Sequence, residues 1–223
     1  MEEKLVLGIS GSPRKGANTD ICLEAAMSAA ASVPGIRTET IYLRDYKIEH
    51  CLGCFACCPK DAAPDFENEF ACPARRNDDM KLIYPKLLEC SGLILASPVY
   101  FGSITGQLKT FMDRTEPLLR YGCGKYKYGL QHKIGGGIAV GGNRNGGEEF
   151  ALLTIQYYFM VHDMLPVGSG GQPTPGCYLG GGATTWPNDK SVTRDGVRKD
   201  ELGLMSCRNL GRNVAENVIR TGC

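Results

Sequence analysis

The chain has 223 residues and a net charge of +1, so charge gives no reason to expect a nucleic acid or anionic membrane partner. No apolar run reaches the roughly 18 residues that a membrane helix needs, and the acidic start Met1-Glu2-Glu3-Lys4 is unlike a secretory leader. With 11 cysteines, an odd number, and no export signal, a reducing cytoplasm with buried or ligand-binding thiols is expected, not a disulfide framework.

Lys4–Ile9 is a short apolar run and reads as a buried parallel strand. Residues from about 18 to 32 carry Ile21, Ala25, Met27 and Ala29 among helix formers and give a first helix. Arg37–Leu43 alternates as a second strand. Residues 44–77 are irregular and cysteine-bearing, too long for an ordinary connection, and read as a functional or ligand-ordered insertion. Asp78-Asp79 suit a helix start, Met80–Cys90 follows, and Pro85 is expected to kink or shorten it. Gly92–Ser97 is the third strand, Thr105–Leu118 the third helix and Ile134–Val140 the fourth strand. Glu148–His162 forms a fourth helix, Met164–Val167 opens a fifth strand, and Arg198–Arg220 closes the chain as an amphipathic helix. Glycines cluster at 135–137, 141–147, 168–171 and 180–182, where loops are expected to meet a ligand.

Strands alternating with helices predict one α/β domain, residues 1–223. The fold class is a flavodoxin-like three-layer sandwich, a five-stranded parallel sheet of order 2-1-3-4-5 with helices on both faces. In such sheets the ligand lies at the carboxyl ends of the strands, and the unusual loops here all follow strands.

The loop Ser10-Gly11-Ser12-Pro13-Arg14-Lys15-Gly16-Ala17-Asn18-Thr19 follows the first strand. Gly11 and Gly16 have the Walker spacing, but Ala17 and Asn18 stand where Lys and Ser/Thr are needed, and the dinucleotide fingerprint also fails. What remains is short hydroxyl and amide side chains, helix N-terminal N–H groups and Arg14, a cradle for a terminal monophosphate without magnesium. Cys51, Cys54 and Cys57 are spaced by two successive C-x2-C steps, with Cys58 adjacent and Cys72 fourteen residues beyond it. Three readings are open: a 4Fe–4S cluster, a zinc site, or thiols without metal. The tight double step favours the cluster, since structural zinc usually takes two separated knuckles. Neighbouring side chains rarely bind one cube together, which argues against Cys58. Cys22, Cys90 and Cys207 read as buried hydrophobes. His50 reads as a hydrogen-bonded loop residue, His162 as structural, and no hydrolytic constellation stands out.

Ser10-Gly11-Ser12-Pro13-Arg14, Asp78-Asp79-Met80, Ser97-Pro98-Val99-Tyr100-Phe101-Gly102, Gly106-Gln107-Leu108-Lys109 and Asp113-Arg114 together resemble the NADPH-dependent FMN reductase group of flavodoxin-like proteins. With Cys51-x2-Cys54-x2-Cys57 the chain is most similar to the iron–sulfur flavoprotein branch. The resemblance implies FMN held by three loops. Ser10, Ser12, Arg14, Asn18 and Thr19 would take the phosphate. Pro98, Val99, Tyr100, Phe101 and Gly102 would run beside the isoalloxazine, and Gly141, Gly142, Asn143 and Gly146 would approach it from the fourth strand. It also implies Cys72 as the fourth cluster ligand, although the stretch between Cys58 and Ala71 looks like an insertion relative to the family.

The expected function is a cytoplasmic FMN oxidoreductase relaying electrons between FMN and the cluster. NAD(P)H or ferredoxin would be the donor and a small molecule or protein the acceptor. The rivals are a cluster-free NAD(P)H-dependent FMN or quinone reductase and a flavodoxin-like electron carrier. The glycine-rich segment 168–189, with Tyr178 and Trp186, and the cysteine loop both want cover, so a homodimer or homotetramer is expected.

Overall fold

A computed structural model describes residues 3–58, 71–143, 145–170, 177–185 and 193–222. Trp186, much of the segment 168–189 and the middle of the cysteine insertion lie outside these residues. β1 (Lys4–Ser10), β2 (Ile36–Tyr42), β3 (Gly92–Pro98), β4 (Ile134–Gly141) and β5 (Leu165–Val167) form a parallel sheet in the order β2-β1-β3-β4-β5. β1, β3 and β4 are buried nearly throughout, as continuous apolar runs in a doubly covered sheet should be.

α1 (Asn18–Ala31) and α5 (Glu201–Thr221) cover one face, where Val6, Leu23, Ile94, Ile138 and Val214 share a core. α2 (Met80–Glu89), α3 (Gly106–Asp113) and α4 (Glu148–Val161) cover the other, around Leu7, Ile83, Leu93, Phe111 and Phe159. Each such side chain contributes about 1.5–3 kcal/mol when fully buried.

The sheet also has a strand that the sequence reading lacks. β6 (Gly181–Thr184) pairs in parallel with Ile138–Gly141, while β5 pairs with Ile134–Gly136. The two short strands share one edge of β4, and β6 carries the chain to the carboxyl end of the sheet. The glycines at 180–182 therefore enter a strand, and those at 135–137 lie inside β4, not in a ligand loop. A side chain at Gly135 would come within 2.6 Å of the Phe159 ring, and one at Gly136 within 2.8 Å of Val214, so these glycines let helices settle on both faces.

Two helix limits differ from expectation, those of α3 and α5, while α2 lies within one residue of it. α3 stops at Asp113, because Arg114 turns inward and Pro117 starts a 3-10 turn at Glu116–Leu118. α5 begins at Glu201, where the Asp200 carboxylate caps it by accepting the Gly203 N–H at 3.0 Å. α2 continues through Pro85 as far as Glu89. Among the described residues no helix is long and apolar enough to cross a membrane.

Candidate functional site

β1 ends at Ser10 and α1 begins at Asn18, so residues 11–17 turn over the carboxyl end of the sheet. Ala17 stands at the cap position of α1 and supplies no side-chain cap. The first N–H groups of a helix lack partners within it, and this helix offers them without a capping hydroxyl in the way. Ser12, Arg14, Asn18 and Thr19 line a cleft here whose opposite wall is Pro98, Val99, Tyr100, Gly142 and Thr185.

Ser10 lies beneath the cleft and does not line it. Its hydroxyl donates to Asp20 Oδ1 at 2.7 Å and accepts the Ser12 N–H at 3.3 Å. Asp20 Oδ2 accepts the Gly16 N–H at 2.7 Å and pairs with Arg44 Nη1 at 3.0 Å. Asp20 and Arg44 thus pin the loop from behind, and sequence reasoning missed both. The available signal was Asp20 itself: an acid in the first turn of an anion-binding helix fits only if it turns inward. Asn18 uses both ends of its amide on the C-terminal region, donating to the Thr193 carbonyl at 2.7 Å and accepting the Val197 N–H at 3.0 Å. Its remaining contribution to an anion is its backbone N–H.

The second loop is tied to the first. Thr105 Oγ1 donates to the Gly11 carbonyl at 2.8 Å, and Ser97 Oγ accepts the Thr105 N–H at 3.0 Å. Tyr100 and Ser103 exchange N–H···O bonds of 2.8 and 3.0 Å around Phe101 (φ 50°) and Gly102 (φ 71°). Positive φ at both central positions is the geometry of a type I′ turn, which strains a phenylalanine by about 1–2 kcal/mol. The turn presents Phe101 fully exposed, with Tyr100 beside it. Gly147 (φ 105°) packs on the turn so closely that a Cβ there would lie 2.8 Å from Gly102 Cα. Gly142 reaches the cleft, whereas Phe101, Gly102, Asn143 and Gly146 lie around it and do not line it.

The residues fit FMN. The uncapped helix start, two hydroxyls and Arg14 suit its phosphate. The enclosed space is about 150 Å³, small for the whole molecule, and the exposed aromatic turn at 100–102 stands beside it.

The cysteine segment is built differently. Cys51 and Cys54 are exposed, Cys58 and Cys72 half-buried, and Cys57 buried with its Sγ 3.6 Å from Cys58 Sγ. Burial first, then the nearby Cys58 and Cys72, pushes the Cys57 thiol far above its ordinary pKa. The donor chemistry of free thiols suits a cluster. The arrangement does not close one: among the described residues no three His, Cys, Asp or Glu side chains come together as a metal site. Both ends of the segment are held by the buried pair Asp78–Arg114. Asp78 accepts the Glu49 N–H at 3.0 Å and the Met80 N–H at 3.1 Å, while Arg114 Nη1 donates to the Glu49 carbonyl at 2.8 Å. Burial alone would raise the Asp78 pKa, but the Arg114 guanidinium and the two N–H donors outweigh it and hold the carboxyl below its usual range. His50 Nδ1 lies 3.1 Å from Thr110 Oγ1. His162 is buried beside Thr115, and burial lowers its pKa to about 4, in keeping with a structural role. Cys22, Cys90 and Cys207 are buried as expected.

A family model described as NADPH-dependent FMN reductase matches residues 5–173. The chain belongs to that family. Its chemistry is FMN-dependent oxidoreduction, and several relatives are named iron–sulfur flavoproteins. One from Methanocaldococcus jannaschii is 41% identical over 213 residues, covering 96% of each chain. A second from the same organism is 37% identical over 203 residues, 91% of each. Among solved structures, the NAD(P)H:quinone oxidoreductase from Methanothermobacter marburgensis matches with a TM-score of 0.61 over 95% of this chain and 99% of that one, at 14% identity, a likeness of fold.

Proposed function

We propose that the chain is an oxidoreductase in which electrons pass between FMN and a 4Fe–4S cluster held by Cys51, Cys54, Cys57 and Cys72, in a reducing cytoplasm. NAD(P)H or reduced ferredoxin is the proposed donor, and a small molecule or protein the acceptor. The observation that carries the reading is the juxtaposition of an uncapped phosphate cleft with a free-thiol segment, leaving adjacent strands at one end of the sheet. When bound, FMN supplies two-electron exchange and the cluster supplies one-electron chemistry. Ser12, Arg14, Thr19 and the first N–H groups of α1 hold the phosphate. Pro98, Val99, Tyr100 and Gly142 give the flavin a wall, and Phe101 and Gly102 cap its edge. Asp78 and Arg114 fix where the cysteine segment begins and ends.

A second reading, the cluster-free NAD(P)H-dependent reductase, draws on the scattered placement of the five cysteines. Iron, sulfide and flavin analysis after anaerobic purification separates the two. The cluster reading expects iron and sulfide in the native protein, lost in Cys54→Ser and Cys72→Ser with FMN retained, but kept in Cys58→Ser. Native protein with FMN and no iron decides for the cluster-free reductase. Turnover with NADPH, NADH and reduced ferredoxin then identifies the donor, and reduction by a protein donor alone would make the chain a carrier.

The proposed homodimer or homotetramer uses the outer face of α4. Phe150, Leu153, Tyr157, Met160 and Val161 are exposed there at the spacing of one helix face, while Leu152, Ile155 and Phe159 on the opposite side are buried. Light scattering should give a multiple of the chain mass that falls to the monomer in Tyr157→Glu; a monomeric native protein overturns this.

A further inference from the structure

Part of the flavin cleft is supplied by chain beyond residue 173, where the family match ends. β6 runs parallel to β4 and delivers Thr185 to the carboxyl end of the sheet, where it lines the cleft with Val140 and Gly142. Thr185 is held firmly. Its N–H donates to the Gly141 carbonyl at 2.9 Å, and its hydroxyl donates to the Gly142 carbonyl at 3.2 Å. Asp200 accepts the N–H of the preceding residue, Thr184, at 2.8 Å.

The phosphate loop braces the same residue from the other side. Gly196 packs on the Thr185 carbonyl so closely that a Cβ there would lie 2.2 Å from the oxygen. The residues around Gly196 are fastened to the loop: Asn18 donates to the Thr193 carbonyl at 2.7 Å and accepts the Val197 N–H at 3.0 Å, and Arg194 donates to the Lys15 carbonyl at 3.1 Å. The Asn18 amide, which has nothing left for an anion, thus helps to place this wall. The bonding also limits what the Thr185 hydroxyl can do. A hydroxyl has one proton and two lone pairs, and a carbonyl only accepts, so the proton is committed to Gly142 and the lone pairs remain. Lone pairs suit a donor. They do not suit a phosphate, whose oxygens are negative and accept.

We propose that Thr185 is a specificity residue for the flavin, its hydroxyl oxygen accepting a hydrogen bond from an O–H or N–H of the neutral part of FMN. The inference rests on FMN occupying this cleft, as proposed above. The neutral part offers two such donors, the hydroxyls of the sugar-alcohol chain and the ring N–H. An acceptor built into a cleft wall discriminates against a ligand that lacks the matching donor, because it is then left unpaired.

The test is equilibrium binding of FMN, riboflavin and lumiflavin to the full chain stripped of flavin, read from flavin fluorescence. Thr185→Val and Thr185→Ala both lack the hydroxyl. Each should weaken FMN and riboflavin by the same factor, about fivefold or more, whereas Thr185→Ser should keep the native affinity for both. Lumiflavin lacks the sugar-alcohol chain. An equal loss with lumiflavin assigns the bond to the ring N–H, and no loss assigns it to a sugar-alcohol hydroxyl. Unchanged FMN affinity in Thr185→Val and Thr185→Ala overturns the proposal. So does a loss confined to FMN, which would put Thr185 at the phosphate, or a loss that Thr185→Ser shares, which would mark a packing role. A native chain that binds none of the three flavins overturns the functional reading and this inference with it; a native chain that binds FMN, with the valine and alanine variants unchanged, overturns this inference alone.

Discussion

Residues 10–20 and residues 50–77 leave neighbouring strands at the same end of the sheet. In the first region Ser10, Gly16 and Arg44 all converge on Asp20, and the Thr105 hydroxyl locks the loop to its neighbour. In the second, Asp78 and Arg114 grip Glu49 at the ends, and the described thiols between them range from exposed to buried. The cleft beside residues 10–20, proposed above to take the flavin phosphate, is thus fastened by the chain's own hydrogen bonds. The cysteine segment is a tethered donor set, and metal binding would do the ordering there, as it does wherever ligand and fold are thermodynamically coupled.

The largest expected effect comes from cutting the tether. Arg114→Met leaves Asp78 buried without its countercharge and should cost about 3–5 kcal/mol in urea unfolding. Limited proteolysis within residues 50–77 should accelerate, whereas FMN retention should change little, because the phosphate loop has its own fastenings. Equal loss of both would show that the two regions are one unit. The same pair sets an acid limit. The native Asp78 pKa is lowered, so its contribution is complete above the ordinary carboxylate value of about 3.9 and is lost as pH falls through the lower native value. Acid should therefore release the cysteine segment only below that ordinary value, and Asp78→Asn should remove this part of the pH dependence.

The reverse cut is smaller. Ser12→Ala combined with Arg14→Ala removes phosphate contacts worth about 1.5–3 kcal/mol for each charge-assisted bond, and FMN should dissociate at least tenfold more readily. Protease resistance of the cysteine segment should stay the same. Unchanged FMN affinity would mean that the backbone N–H groups of α1 carry the phosphate alone.

The same contrast explains what could be read from the sequence. The strand order and the turn from β1 into α1 were legible because each rests on local signals: apolar runs of strand length, and small polar residues ahead of a helix. Asp78 was read as a helix-start residue, and Arg114 stood out only as part of a resemblance. Their pairing across thirty-six residues, and the reason α3 ends at Asp113, need the folded chain. β6 was illegible because Gly180-Gly181-Gly182 has none of the β-branched pattern of a strand; it pairs through its backbone with an edge that β5 leaves open. Asn18 shows the limit at single residues, since its side chain was assigned to a phosphate and is spent on Thr193 and Val197.

The smallest expected effect probes the price of building a site in advance. Phe101 holds φ at 50° in the turn beside the cleft, its ring fully exposed, so its contacts within the chain do not repay the strain. Phe101→Gly relieves a left-handed conformation that costs a non-glycine residue about 1–2 kcal/mol, against roughly 0.5–1 kcal/mol for the extra freedom of an unfolded glycine. Thermal unfolding of the flavin-free protein should therefore show a stability gain of up to about 1.5 kcal/mol. FMN affinity should move the other way, because the aromatic edge offered to the flavin is gone. Opposite signs in the two measurements mark Phe101 as strain kept for binding; a loss in both would mean that the ring packs within the protein.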